Sequence, residues 1–236
     1  MPARCRPRTR TCSASCRGKR RFTNKEHGLY HLFLKRSLDV SVLCVNTPPE
    51  ILPGRHKLHL AARCIEAGGI LAYPTEAVYG LGCDPRDGDA VRRLLAIKRR
   101  PEDKGLILIG ADYAQLRPFV APLESDRMEA VLATWPGPVT WLLQARAGTP
   151  RWLTGRHATL AVRVTAHPLA SALCRSVGCA LVSTSANVSE LPPARTALEV
   201  RLAFGAQVDL VLTGPCGPRA NPSTIRDGRT GAVIRA

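Results

Sequence analysis

The sequence predicts an α/β domain that begins near residue 54 and runs to the end of the chain. Short apolar segments rich in Leu, Val and Ile recur along this part, each bounded by Gly, Pro or polar residues, as buried strands are. Longer segments between them repeat their apolar residues three and four positions apart, as helices do. The links are short and no internal repeat is present. Strands and helices that alternate in this way indicate one α/β domain.

The individual elements follow from local signals along the chain. A first helix over residues 56–67 should end at Gly68-Gly69, because glycine favours the left-handed conformation that closes a helix. A second helix is predicted over residues 89–98, whose apolar residues fall on one face. Thr196 and Glu199 form a capping box at another helix start. The other predicted elements are strands at 70–73, 106–109, 139–143, 160–164, 180–183, 208–212, 224–226 and 232–235, a short helix after Asp112, and helices over 124–134 and 167–177.

Residues 1–53 differ in composition from the domain predicted over residues 54–236. Half of the net charge of +16 falls within the first 50 residues, and three prolines before Gly54 mark a linker. We expect a basic, disordered N-terminal extension followed by that linker. A transit peptide, a basic arm and an upstream start that adds little are all consistent with this Arg-rich composition, so these alternatives remain open.

Composition argues against several classes of protein. No apolar run approaches the roughly 20 residues that a membrane span needs, so we expect no membrane contact. The nine cysteines are scattered and form no CxxC pair, which favours reduced thiols in a cytoplasmic protein over disulfides or a zinc site. A basic body suits a phosphate-rich partner such as a nucleotide or RNA, although basic side chains that only solvate the surface explain the charge equally well.

Common nucleotide-binding and hydrolase motifs are missing from the sequence. There is no Walker A sequence, and Pro85 stands where the third glycine of a dinucleotide fingerprint beginning at Gly80-x-Gly82 belongs. The HExxH and GxSxG motifs are also missing. If this protein handles ATP, it must use another arrangement.

Four polar segments stand out because each follows or interrupts an apolar strand, where α/β proteins usually bind ligands. Arginine and lysine suit phosphate oxygens, and hydroxyls and amides are neutral donors for phosphate or carboxylate. Each segment taken alone also has a purely structural explanation. In chain order these are a turn, a charged helix end, a loop that hydrogen-bonds to itself and a turn that leads into a strand. The segments are 73–82 with its glycines, 98–105 with its cations, 183–189 with its hydroxyls, and 221–224.

The residues of these segments and their order along the chain resemble the YrdC-like family, specifically its single-domain threonylcarbamoyl-AMP synthases of the TsaC type. The K-x-R and S-x-N signature of that family appears as Lys98-Arg99-Arg100 and Ser185-Ala186-Asn187. The resemblance runs from about residue 56 to the end and implies a single YrdC-like domain, a twisted mixed β-sheet with flanking helices and a positively charged concave cleft. It is carried by YPTEAVYGLGCDP (73–85), KRRPEDKGLILI (98–109), WPGPVTWLL (135–143), PRWLTGRHATLAVRVTAHPL (150–169), LVSTSAN (181–187) and NPSTIRD (221–227).

The resemblance implies a nucleotidyltransferase that joins L-threonine, bicarbonate and ATP into threonylcarbamoyl-AMP and releases pyrophosphate. The product is the activated intermediate for threonylcarbamoyladenosine modification of tRNA, so tRNA and downstream threonylcarbamoyl-transferase proteins are implied partners. Mg²⁺ should accompany ATP through phosphate oxygens and water, without metal ligands from the protein. Such a transfer depends mainly on positioning and electrostatics, so a cationic cleft with neutral donors would suffice.

Residue roles carry over from the family motifs position by position. By this resemblance, Lys98 and Arg100 should hold the nucleotide phosphates and act as the catalytic cations. Ser185 and Asn187 should complete the ATP pocket, and Arg195 should reach the triphosphate. The residues expected around threonine and its carboxylate are Thr75, Lys104, Arg163, Ser183 and Ser223.

Two other functions fit parts of the same sequence. One is a non-catalytic module that binds tRNA or double-stranded RNA, with an affinity that should fall steeply with salt. The other is carbamoyl-adenylate chemistry, as in hydrogenase-maturation proteins that contain a YrdC-like domain. The acylphosphatase-like module and zinc-finger cysteines that accompany that chemistry are not found in this sequence, so we expect the synthase.

Overall fold

The computed structural model describes residues 54–219, 221 and 223–235. The basic extension and linker predicted over residues 1–53 lie outside the described residues. Within the described part of the chain, nine strands and seven α-helices are interspersed, which confirms the α/β class predicted from the sequence.

The strands are short and form one mixed sheet. Parallel pairs join β1 to β7, β3 to β5 and β4 to β8, and the other neighbouring strands are antiparallel. The order across the sheet is β7-β1-β2-β6-β3-β5-β4-β8-β9. In chain order the strands are β1 (Leu71–Pro74), β2 (Tyr79–Gly82), β3 (Ile107–Gly110), β4 (Val139–Gln144), β5 (Thr159–Val164), β6 (Leu181–Ser185), β7 (Leu210–Val211), β8 (Thr224–Asp227) and β9 (Val233–Arg235).

The helices lie close to their predicted bounds, except Arg151–Thr154, which was not predicted as a helix. Asp87 and Asp112 accept backbone N–H groups at two helix starts, and Thr196 forms its capping box with Glu199. Gly178 ends another helix in the left-handed conformation. No helix among the described residues is long and apolar enough to cross a membrane. The helices are α1 (Arg55–Glu66), α2 (Gly88–Lys98), α3 (Tyr113–Leu116), α4 (Ser125–Leu132), α5 (Arg151–Thr154), α6 (Pro168–Val177) and α7 (Ala197–Phe204).

Two apolar cores pack against the sheet. The smaller core joins Ile65 of α1 and Leu173 of α6 to Leu71 of β1. The larger core contains Leu94 of α2 and Val200 of α7. Neighbouring residues of β1, β3 and β6 enter different cores, because side chains of a strand point alternately to its two faces. Helices therefore cover both faces of the sheet, as an α/β layer architecture requires.

Strand β2 was not predicted. Residues 73–82 were interpreted as a strand end and a ligand-binding turn, whereas Tyr79–Gly82 is a buried strand. A Cβ atom at Gly82 would lie 2.4 Å from the carbonyl oxygen of Val182, so glycine permits β2 and β6 to approach closely. Two glycines that read as turn residues therefore belong to a strand.

Candidate active site

A cleft of about 350 Å³ lies over the central strands β2, β6, β3 and β5. Among the described residues that line it, four are arginines and only Glu76 is acidic. The other polar lining groups are hydroxyls and amides, which donate or accept hydrogen bonds without a charge. The polar and charged lining residues are Thr75, Glu76, Tyr79, Arg100, Arg163, Ser183, Thr184, Ser185, Asn187, Arg219, Asn221, Ser223 and Arg235.

Strand pairing brings groups that are distant in the sequence into this cleft. Gly80 of β2 pairs with Ser185 of β6, and Ser183 pairs with Ile107 of β3. Strand β3 also pairs with β5, which carries Arg163. The glycine-containing segment, the S-x-N segment and the arginine of the alternating strand therefore meet on one surface.

Lys98 lies at the end of α2, behind the S-x-N segment, and only 3% of its surface is exposed. Its ammonium group donates to the carbonyl oxygens of Ser185 (2.5 Å) and Asn187 (2.7 Å) and to the Asn187 side-chain oxygen (3.1 Å). Burial lowers the pKa of Lys98 to about 8, and the nearby charge of Arg100 adds to the shift. All three N–H groups of the ammonium therefore contact protein oxygens, and Lys98 does not line the cleft.

The S-x-N segment is held by its own hydrogen bonds as well as by Lys98. Ser185 Oγ donates to Asn187 Oδ1 at 2.6 Å, and Asn187 Nδ2 donates to the carbonyl oxygen of Leu191 at 2.7 Å. Ser189 adds a bond from its hydroxyl to the carbonyl oxygen of Lys98. This wall of the cleft is a network whose polar groups largely satisfy one another.

Arg100 reaches the cleft from the turn that follows α2. Its Nη2 atom donates to the carbonyl oxygen of Gly105 at 2.9 Å, while its buried Nε atom has no hydrogen-bond partner among the described residues. Burial lowers the pKa of Arg100, against the opposing effect of Asp103, but an arginine stays charged at neutral pH. Arg100 lines the cleft, so the N–H groups of its guanidinium that make no protein contact are positions that a ligand oxygen can fill.

Arg163 of β5 and Glu76 form a buried ion pair, with Nη1 and Oε2 3.3 Å apart. The other carboxylate oxygen, Oε1, accepts the Thr165 hydroxyl at 2.7 Å and the Ala166 backbone N–H at 3.1 Å. Burial would raise the pKa of Glu76, but the Arg163 charge and these hydrogen bonds outweigh it, so the pKa is lowered. Arg163 Nε is also buried without a hydrogen-bond partner in the described part of the chain.

A segment rich in Gly and Pro, residues 214–219, lies against the turn between β1 and β2. The Tyr79 hydroxyl donates to the carbonyl oxygen of Gly214 at 2.8 Å, and Gly217 N donates to the carbonyl oxygen of Thr75 at 2.9 Å. Arg219 N donates to the carbonyl oxygen of Glu76 at 3.2 Å, which places Arg219 at the cleft. These bonds fix the segment as one boundary of the site.

Strands β8 and β9 complete the cleft on the opposite side. The Ser223 hydroxyl lies 2.9 Å from the hydroxyl of Thr140, which is fully buried in β4. Arg235 of β9 donates to the carbonyl oxygen of Ser223 at 2.9 Å. Burial lowers the pKa of Arg235, and the charge of Arg163 lowers it further.

The structure brings most of the predicted site residues together. The cleft is lined by Thr75, Arg100, Arg163, Ser183, Ser185, Asn187 and Ser223. Three others are not among its lining residues. Lys98 is buried behind the S-x-N segment, Lys104 is exposed, and Arg195 is exposed with its guanidinium on the carbonyl oxygen of Arg219. Their contacts with ATP or threonine stay predictions.

Glu76, Arg219 and Arg235 line the cleft but were not predicted as site residues. Glu76 stands inside the segment that carries Thr75, so its position next to a candidate ligand group was a usable signal. Arg235 lies at the end of a short strand with no motif around it, and only the sheet topology reveals its place.

No group of three or more His, Cys, Asp or Glu side chains that could hold a metal ion exists among the described residues. The five cysteines in that part of the chain are free thiols. Burial raises the pKa of Cys83 and of Cys174 to about 12, so these thiols are neutral at physiological pH.

The structure is an α/β protein with one mixed sheet, and its cleft is lined by four arginines together with hydroxyl and amide side chains. The chain belongs to the Sua5/YciO/YrdC family, whose model carries the description "Telomere recombination" and matches residues 63–236. This confirms the resemblance noted in the sequence.

Individual relatives are similar over most of the domain. The threonylcarbamoyl-AMP synthase of Nitrosococcus oceani is 56% identical over 179 residues, which cover 76% of this chain and 97% of that protein. The threonylcarbamoyl-AMP synthase of Halorhodospira halophila is 55% identical over 188 residues, which cover 80% and 97%. The crystal structure of P. abyssi Sua5 complexed with L-threonine is 33% identical with a TM-score of 0.69. That match covers 73% of this chain and 51% of Sua5, so the chain spans about half of that protein.

Proposed function

We propose that this chain is an L-threonylcarbamoyladenylate synthase, a nucleotidyltransferase that forms threonylcarbamoyl-AMP and pyrophosphate from L-threonine, bicarbonate and ATP. The observation that carries the proposal is that Arg100, Arg163 and the S-x-N segment line one cleft. Such a cleft offers charged donors for phosphate and carboxylate groups beside neutral donors that orient them. The similarity to synthases of the same name across nearly their whole length supports it.

The proposed reaction has two steps. The amine of threonine attacks the carbon of CO₂ formed from bicarbonate, giving a carbamate and releasing a proton. A carbamate oxygen then attacks the α-phosphorus of ATP, and the bond from that phosphorus to the pyrophosphate oxygen breaks. Negative charge develops on the phosphates in the second step, and fixed cations stabilise it without needing to reorganise.

The described residues divide these tasks by position. Arg163 lies deep in the cleft, with Ser183 on the adjoining part of the sheet, and is the proposed partner of the threonine carboxylate. Arg100 is the proposed partner of the nucleotide phosphates, with Ser185 and Asn187 shaping that side of the pocket. The proposed reaction needs no nucleophilic side chain, because the carbamate itself is the nucleophile.

Partners follow from the proposed product. Threonylcarbamoyl-AMP is an activated acyl donor, so we propose that its use is the modification of tRNA adenosine by downstream transferase proteins in the cytoplasm. Mg²⁺ would enter with ATP, bound through phosphate oxygens and water, as is usual for this ion with nucleotide substrates.

The test is a pyrophosphate-release assay on the full chain. Release should require ATP, threonine and bicarbonate together, and omission of any one should abolish it. Release with carbamoyl phosphate in place of threonine and bicarbonate would instead support carbamoyl-adenylate chemistry. Tight, salt-sensitive RNA binding without binding of ATP or threonine would support the non-catalytic module.

A further inference from the structure

A buried carboxylate stands out in a cleft built for anions. Glu76 is 8% exposed and lines the cleft together with four arginines. A carboxylate in this place repels the phosphates and carboxylates that the cleft is proposed to bind. Its presence therefore needs a reason other than direct contact with an anionic ligand.

The contacts of Glu76 supply that reason. Its Oε1 atom is fixed by the Thr165 hydroxyl and the Ala166 N–H, and that hydroxyl in turn accepts the backbone N–H of His167. Its Oε2 atom faces the guanidinium of Arg163 at 3.3 Å and has no other partner in the described residues. The carboxylate is thus anchored on one side by the start of α6 and presents its other side to one cation.

The ion pair with Glu76 is the side-chain contact that can orient Arg163. Glu76 is the charged partner that the structure gives it, and Arg235, which lines the same cleft, is a second cation there. Oε2 is itself sealed from solvent, so a substrate group cannot reach it without displacing Arg163. A buried cation whose anionic partner is removed is both strongly destabilised and free to change its direction.

We propose that Glu76 is a positioning residue for threonine binding. It holds the Arg163 guanidinium at a fixed place in the cleft, with N–H groups left over for the substrate carboxylate. This inference rests on the proposed function, in which Arg163 binds the threonine carboxylate, and it names Glu76 as the residue that orients Arg163.

The experiment compares variants by threonine and ATP kinetics in the pyrophosphate-release assay, together with calorimetric binding of threonine. Glu76→Gln keeps the shape and the Oε1 acceptor but removes the charge that holds Arg163. We expect the KM and the Kd for threonine to rise about a hundredfold, the size of effect that a misplaced positioning group produces, with a much smaller change in the KM for ATP. Glu129→Gln, which removes an exposed carboxylate from α4, is the matched control and should change neither.

A double-mutant cycle separates positioning from general destabilisation. In an Arg163→Met background, Glu76→Gln should produce no further loss of threonine affinity, because the group that Glu76 positions is already gone. Glu76→Asp, which keeps the charge on a shorter side chain, should restore part of the affinity. Thr165→Val removes one hydrogen bond to Glu76 Oε1 but leaves the charge of Glu76, so it should give a smaller rise in the threonine KM. It replaces Glu76→Gln as the test if that variant does not fold.

Each outcome decides between the two proposals. If the wild-type chain neither releases pyrophosphate nor binds threonine, the proposed function fails and takes this inference with it. If the wild type is active and Glu76→Gln and Thr165→Val leave the threonine KM unchanged, or raise the KM for ATP equally, the positioning role is overturned while the function stands. Additive losses in the Arg163→Met background also overturn it.

Discussion

The cation behind the S-x-N segment and those that line the cleft differ in how fully the protein satisfies their N–H groups. Behind the S-x-N segment, all three N–H groups of Lys98 contact oxygens of the same wall. On the cleft side, Arg100 makes one hydrogen bond and Arg163 one ion pair among the described residues, so each guanidinium keeps N–H groups that no protein oxygen contacts. Both kinds of cation belong to the quoted family segments, yet only the second kind has donors to spare.

The difference teaches that a cation in a family motif can either stabilise the protein around the site or bind the ligand directly. The number of its N–H groups that have no protein partner indicates which of the two roles it has. A saturated ammonium shapes a loop, because moving it toward a ligand would break three hydrogen bonds at once. An arginine with a free N–H loses little when a phosphate or carboxylate arrives. We therefore expect Lys98 to act mainly on the stability of the wall and the arginines to act mainly on catalysis.

The largest expected effect comes from Arg100→Ala. Removing a charged donor aimed at developing negative charge should lower kcat/KM by about 10²–10³-fold, equivalent to roughly 3 kcal/mol. The free energy of unfolding should change by less than about 1 kcal/mol, since one hydrogen bond to Gly105 is lost. Steady-state kinetics and urea denaturation measure the two quantities.

Arg99→Asn is the matched control for that variant. Arg99 is exposed and adopts φ of 50°, a left-handed conformation that asparagine tolerates. It removes a cation from the neighbouring position without touching the cleft, so kcat/KM should stay within about twofold of wild type by our expectation for an exposed site. Equal losses in both variants would mean that net charge, and not the placement of Arg100, matters.

Lys98→Met should show the reverse pattern. The substitution removes three hydrogen bonds to oxygens of Ser185 and Asn187, so the free energy of unfolding should fall by about 3 kcal/mol. Activity should fall only as far as the wall is displaced. Lys104→Met, at an exposed position, should leave the free energy of unfolding unchanged. A normally stable Lys98→Met protein with a greatly raised KM for ATP would show that Lys98 binds the phosphates directly, as the family resemblance implies.

The sequence predicted much of this cleft because its signals are local. Apolar spacing and helix caps placed most strands and helices within a residue or two, and Thr196 with Glu199 marked α7 correctly. Six of the predicted residues that line the cleft lie in the polar segments after strands, and the family resemblance added Arg163. Strand β2 was not predicted because Gly80 and Gly82, taken alone, favour a turn. Only the close approach of β6 explains why glycines occur in this strand.

What the sequence could not provide are relations between distant residues. Lys98 lies 87 positions before Ser185, and nothing in either segment indicates that the ammonium turns toward those carbonyl oxygens. The pairing of Glu76 with Arg163 is equally remote. Motif spacing therefore identified the participants, whereas the division between supporting and ligand-facing groups needed the folded sheet.

A smaller effect should appear in the pH dependence of stability. The pKa of Glu76 is lowered in the folded chain relative to its usual value of 4.5. Its contribution to stability is therefore fully present above pH 4.5 and is lost as pH falls through the lower folded value. The difference in free energy of unfolding between wild type and Glu76→Gln should be largest near neutral pH and shrink as the solution is acidified. A difference that grows on acidification would contradict the ion pair with Arg163.

The smallest expected effect concerns Ser223. Ser223→Ala leaves the fully buried Thr140 hydroxyl without its partner, which should lower the free energy of unfolding by about 1 kcal/mol. Adding Thr140→Val should restore most of that stability, because replacing both partners by apolar groups of similar shape is nearly neutral. The KM for threonine then separates the two uses of this hydroxyl. If Ser223 also contacts threonine, the KM stays raised in the stable double variant, whereas a purely structural hydroxyl would let both stability and KM recover together.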